Sequence, residues 1–113
     1  MNEVYLGIFG RGQGGVPRSL ADERLHARDR ISGLRSETAA DRLAAGSGWQ
    51  RYPDLQAANR EYFAGFSEVQ HPRARYLLVP GVAGFENGLA IDARNISPAY
   101  IRQKVAEIPA NKP

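Results

Sequence analysis

Arg75-Tyr-Leu-Leu-Val-Pro-Gly-Val-Ala-Gly-Phe-Glu-Asn-Gly-Leu-Ala-Ile-Asp-Ala-Arg94 is the densest run of strand-forming residues in a chain of 113. Asn87-Gly88 suits a two-residue type I′ turn, because both residues accept the positive φ that such a turn needs. The stretch therefore predicts a β-hairpin at the centre of a small mixed fold. Its residues 77–91 should lie inside, under whatever amphipathic helix carries the largest apolar face.

That helix is expected after Pro53, which fits a first helical turn. Leu55, Ala58, Tyr62, Phe63 and Phe66 follow at spacings that share one helical face, so the aromatic ridge of residues 53–66 would rest on the sheet. A third strand is expected at the amino end, where Glu3-Val-Tyr-Leu-Gly-Ile-Phe9 reads as a strand buried on both faces. Gly10-Arg-Gly-Gln-Gly-Gly15 then breaks it into a loop.

Between strand and ridge, Ser19 with Asp22 predicts a capped helix over residues 20–32, its apolar arc formed by Leu20, Ala27 and Ile31. Gly33 would stop it, and Ser36 would restart a second, alanine-rich helix through Ala45, closed by Gly46. A last helix is expected after Ser97-Pro98, with Ile101, Val105 and Ile108 as its stripe and Pro109 as its end. The order reads β-α-α-α-β-β-α. The expected class is α+β: one domain over residues 1–113, residues 110–113 fraying, with a three-stranded, mostly antiparallel sheet and three to four helices.

Composition narrows the chemistry. With 42% hydrophobic and 24% charged residues the chain has an ordinary globular mixture. It has no cysteine, which excludes disulfides, thiolate metal sites and cysteine nucleophiles. No zinc or calcium spacing occurs, so neither metal nor cofactor is expected. No run approaches the roughly 18 apolar residues of a membrane span, and a cytoplasmic protein with no membrane contact is expected.

The net charge of +3 comes from 15 cations, of which all but Lys104 and Lys112 are arginine. Guanidinium forks bind phosphate or carboxylate bidentately, so Arg11, Arg18, Arg24, Arg28 and Arg51 are candidate anion contacts. Codon bias toward arginine and alanine is the plainer source of the same excess. Trp49 and Tyr52 flank Arg51 and offer stacking surfaces. Gly10-x-Gly12-x-x-Gly15 matches a dinucleotide fingerprint in letters, but the second parallel strand of a βαβ unit is missing from the expected order. Asp92 and Arg94, on the polar side of the expected hairpin, could floor a shallow site with Glu86.

Three functions follow as expectations. The first is a non-catalytic binding module whose arginine-rich surface engages an anionic partner, either nucleic acid or an acidic protein surface. The second is a small metal-independent ribonuclease or toxin-like enzyme centred on His71, with Glu68, Arg73 and Arg75, in which a base removes the 2′-hydroxyl proton and arginine stabilises the phosphorane. The third is a homo-oligomeric scaffold or inhibitor acting through exposed aromatics, since the chain has many large rings for a small core.

Overall fold

A computed structural model describes residues 3–102 and shows a mixed α+β chain. Its dominant element is a hairpin. β1 (Glu3–Arg11) pairs antiparallel with β2 (Pro17–Ala27), in a register running from Glu3 opposite Ala27 to Arg11 opposite Pro17. Gln13–Gly15 forms a single 3-10 turn at the tip, where Gly14 (φ 63°) and Gly15 (φ 79°) take the left-handed region that glycine enters without strain. Gly12 is needed for another reason: a β-carbon there would lie 2.1 Å from the Val16 carbonyl oxygen. The glycine-rich letters thus close a hairpin and open no helix.

The helix expected over residues 20–32 is corrected to strand. Ser19 does not cap; its hydroxyl donates to the Ala21 carbonyl at 2.8 Å. The pairing jumps from Leu6–Arg24 to Ile8–Ala21 and then to Phe9–Ser19, so β2 carries two extra residues as bulges. Bulges break the alternation of faces, which is why no strand pattern shows in residues 17–27. β1 is buried on one face only. Val4, Leu6 and Ile8 are half-buried, whereas Tyr5 and Phe9 are 62% and 55% exposed.

The alanine-rich helix also gives way. Ser36–Asp41 is 3-10, and β3 (Leu43–Ala44) pairs in parallel with β4 (Gly65–Phe66). The ladder extends through Ala64 N–H to Arg42 O (2.8 Å), Ser67 N–H to Ala44 O (2.7 Å) and Gly46 N–H to Val69 O (2.8 Å). No three-stranded sheet forms among the described residues: two strands are antiparallel and two are parallel.

Between β3 and β4 lie α1 (Gly48–Arg51) and α2 (Pro53–Asn59), the latter starting at Pro53 as the sequence predicts. α2 stops at Asn59 and passes into a 3-10 turn, Arg60–Tyr62, so the ridge is not one helix to Phe66. The well-buried apolar side chains are few: Ile31, Ala44, Leu55 and Tyr62. Ile31 and Leu55 are hydrogen-bonded through their backbones to Asn59, the most buried side chain among the described residues.

The central hairpin at residues 77–91 is corrected most completely. Ala74–Leu77 is 3-10 and Leu78–Glu86 is a helix, α3. Asn87 keeps a negative φ of −87°, so no type I′ turn exists. Gly88 (φ 70°) instead ends the helix in a Schellman motif, with Leu89 N–H reaching Gly84 O at 2.9 Å and Gly88 N–H reaching Phe85 O at 3.1 Å. Pro80 is tolerated because it falls in the first turn, where its missing N–H has no helical acceptor. α3 lies outside rather than inside: Leu78, Val82 and Phe85 are 66%, 56% and 75% exposed. Residues 97–102 are not helical, and the remainder of the last expected helix, with residues 110–113, falls outside the described residues.

Candidate functional site

Asn59 ties the first half of the chain to α2. Its Oδ1 accepts from Ile31 N–H at 2.8 Å, while Nδ2 donates to Asp29 O at 2.9 Å and Leu55 O at 2.8 Å. With the side chain fully buried and shut off from water, these three bonds come from the protein itself. Alongside, Arg30 donates to the Tyr62 hydroxyl and pairs with Glu61 at 2.6 Å. Arg42 spends its guanidinium on Arg35 O, Tyr62 O and the Thr38 hydroxyl. The loop following β2 is therefore fixed against α2.

This anchoring leaves a cleft of about 450 Å³ between the inner face of β1 and the α1–α2 region. Val4, Leu6 and Ile8 form one wall, and Trp49, Leu55 and Phe63 form the other. Trp49, Phe63 and Phe66 meet edge-to-face at centroid distances of 5.1, 5.5 and 5.7 Å, and the Trp49 indole N–H donates to Ala45 O at 3.2 Å. His26, Arg51 and Tyr52 complete the lining. A volume of this size, with apolar walls and few polar groups, falls within the range of small-molecule sites.

The five candidate anion-binding arginines are spread along the molecule. Arg11 and Arg18 flank the hairpin tip, Arg24 lies midway opposite Leu6, and Arg51 lines the cleft. Arg28 lies 4.9 Å over the Tyr52 ring and 3.8 Å from Asp54, so both its charge and the face of Tyr52 are engaged within the chain. Trp49 is packed in the aromatic trio rather than standing out as a platform.

His71, Glu68, Arg73 and Arg75 are all exposed on the segment leading to α3. Among the described residues no hydrogen bond or ion pair joins any two of them; the Arg75 guanidinium turns to the Tyr76 hydroxyl at 2.9 Å. Asp92 pairs with Arg94 at 3.1 Å in a 3-10 turn (Ala93–Asn95), not in a sheet, and this guanidinium with the Arg94 N–H holds the Asp92 carboxyl below its ordinary range. No group of three or more metal-ligating side chains converges among the described residues, and none of their helices is long and apolar enough to cross a membrane.

The largest unsatisfied feature is apolar. Tyr76, Leu77, Leu78, Val79, Val82, Phe85, Leu89 and Ile91 are each more than half exposed, a run that no described element covers. It borders the hairpin tip, since a Val79 methyl would lie 3.9 Å from a β-carbon placed on Gly15. Sequence reasoning missed this surface by placing the run inside. It also missed Asn59, whose signal was available: Leu55, Asn59 and Tyr62 share one helical face, and a polar residue on a buried stripe marks a buried hydrogen-bonding role.

No family model matches this chain, and no curated protein matches it. Solved structures do. The chain is similar to the crystal structure of an uncharacterized protein with similarity to peptidase YEAZ from Pseudomonas aeruginosa, with a TM-score of 0.69 and 25% identity over 90% of this chain. The match takes in 45% of that protein, so this chain spans under half the length of the structure it resembles.

Proposed function

We propose that this chain is a non-catalytic binding module that docks on a partner polypeptide through the exposed apolar surface of α3 and the adjoining hairpin tip. The observation that carries the reading is the exposed apolar run from Tyr76 to Ile91. Burying large apolar side chains contributes on the order of 25 cal/mol per Å², so an uncovered surface of this kind is a strong drive toward association.

The nature of the partner follows from the same surface. Aliphatic and aromatic side chains with arginines beside them, here Arg11, Arg18 and Arg75, are the composition of protein interfaces. A nucleic-acid backbone would leave the apolar run wet. We therefore favour a polypeptide with acidic groups around an apolar patch. A segment equivalent to the part of the P. aeruginosa protein that has no counterpart in this chain is the natural occupant, because the matched and unmatched parts are carried on one chain there.

The test is co-expression of this chain with that unmatched part, followed by sedimentation of the purified material. A 1:1 complex that is weakened by Leu78→Ser with Phe85→Ser supports the reading. Separate sedimentation of both polypeptides, or a complex indifferent to those substitutions, refutes it.

A further inference from the structure

We infer that the cleft between β1 and the α1–α2 region is a separate binding site for a small planar aromatic monoanion, such as an aromatic carboxylate. Four observations lead there. The cleft's walls are apolar and aromatic, and its volume of about 450 Å³ suits a ligand of one or two fused rings. Arg51 lines it, and none of the ion pairs or side-chain hydrogen bonds among the described residues uses the Arg51 guanidinium, unlike that of Arg42, which is spent on two carbonyls and a hydroxyl. A free guanidinium beside an apolar wall selects a carboxylate, because its fork gives two charge-assisted hydrogen bonds to one.

The fourth is His26. Its side chain is only 13% exposed and lines the same cleft. Its Nδ1 lies 2.6 Å from the Ala27 carbonyl oxygen, and since a carbonyl only accepts, Nδ1 carries the proton. Nε2 is then a hydrogen-bond acceptor, which leaves the anionic group of a ligand to Arg51. Two guanidiniums line the cleft, and since Arg42 is held by its neighbours, Arg51 is the one open to a single anionic group on a hydrophobic body.

Trp49 is the only tryptophan in the chain and stands in the cleft wall, so its indole N–H resonance reports on this place alone. In a ¹H–¹⁵N titration of the full chain with 2-naphthoate, that resonance is expected to shift saturably to a single-site limit. Arg51→Gln should weaken 2-naphthoate about tenfold, the effect of losing one charge-assisted contact. The same variant should bind the neutral analogue 2-naphthalenemethanol as the parent does, and Arg51→Lys should recover part of the difference. Phe85→Ser, on α3, should leave the titration unchanged, which separates this site from the docking surface proposed above. An unmoved Trp49 resonance at millimolar 2-naphthoate, or equal losses for the acid and the alcohol in Arg51→Gln, would overturn the inference. A dispersed Trp49 resonance in each variant verifies that it has folded.

Discussion

Replacing Asn59 by alanine strikes the point where the loop after β2 is held to α2. The substitution removes three hydrogen bonds of 2.8, 2.9 and 2.8 Å from a side chain with no exposure to solvent. The Ile31 N–H suffers most, because Ile31 is itself 2% exposed and no water can replace the lost acceptor. One stranded buried donor costs about 1–3 kcal/mol. The carbonyls of Asp29 and Leu55 lose less, since Asp29 is exposed and a carbonyl tolerates one vacant lone pair. With a small cavity added, the expected loss is about 2–4 kcal/mol. Urea unfolding followed by Trp49 fluorescence measures it, the indole being packed against Phe63 and Phe66.

Asn59→Asp sharpens the test. It keeps an acceptor for Ile31 N–H but turns a second carboxylate oxygen toward two carbonyls, so at neutral pH it should be worse than alanine. Burial raises the new carboxyl's folded pKa above its unfolded value of about 3.9. A raised acid is most stabilising while protonated, so the variant's deficit should shrink as pH falls toward about 4 and grow as pH rises. An Asn59→Ala loss below about 0.5 kcal/mol, the range of ordinary surface substitutions, would refute the reasoning.

Two further outcomes are expected. Gly12→Ala, whose β-carbon would sit 2.1 Å from the Val16 carbonyl oxygen, should destabilise more than Gly14→Ala, where space is open and only the left-handed φ of 63° is penalised, by about 1–2 kcal/mol; the reverse order in thermal melts would contradict the hairpin. Asp92, held charged first by the Arg94 guanidinium, should titrate below the usual aspartate value, so that its pairing is present at neutral pH and lost as pH falls; a carboxyl-detected NMR titration in which Arg94→Gln leaves the midpoint unmoved would dismiss that pairing.

What the sequence disclosed depended on whether local residues or distant partners decide each element. β1 was legible as a strand from its short apolar run, though not in its burial on one face only, and α2 was legible at its start because Pro53 fixes φ for a first turn. β2 was hidden by its two bulges, which remove the period of two, and by Ser19 and Asp22, which imitate a helix cap. The run at residues 77–91 contains β-branched residues and Asn87-Gly88, and those signals serve a helix ending in a Schellman motif as well as a hairpin turn. β3 and β4 are two residues each and exist only through pairing with each other. Of the candidate site residues, Trp49, Arg51 and Tyr52 are neighbours in sequence and all three line the cleft. The opposite wall, Val4, Leu6 and Ile8, arrives from more than forty positions away and could not be assigned to them by spacing.

The central claim is that the surface from Tyr76 to Ile91 exists to be covered. Amide hydrogen exchange on this chain, alone and bound to the unmatched part of the P. aeruginosa protein, tests it most directly. The account predicts fast exchange over α3 in the isolated chain and strong protection of residues 76–91 and the hairpin tip in the complex, with the Asn59 region unchanged. Protection confined to other segments, or an α3 already as protected in isolation as the hairpin ladder, would contradict it.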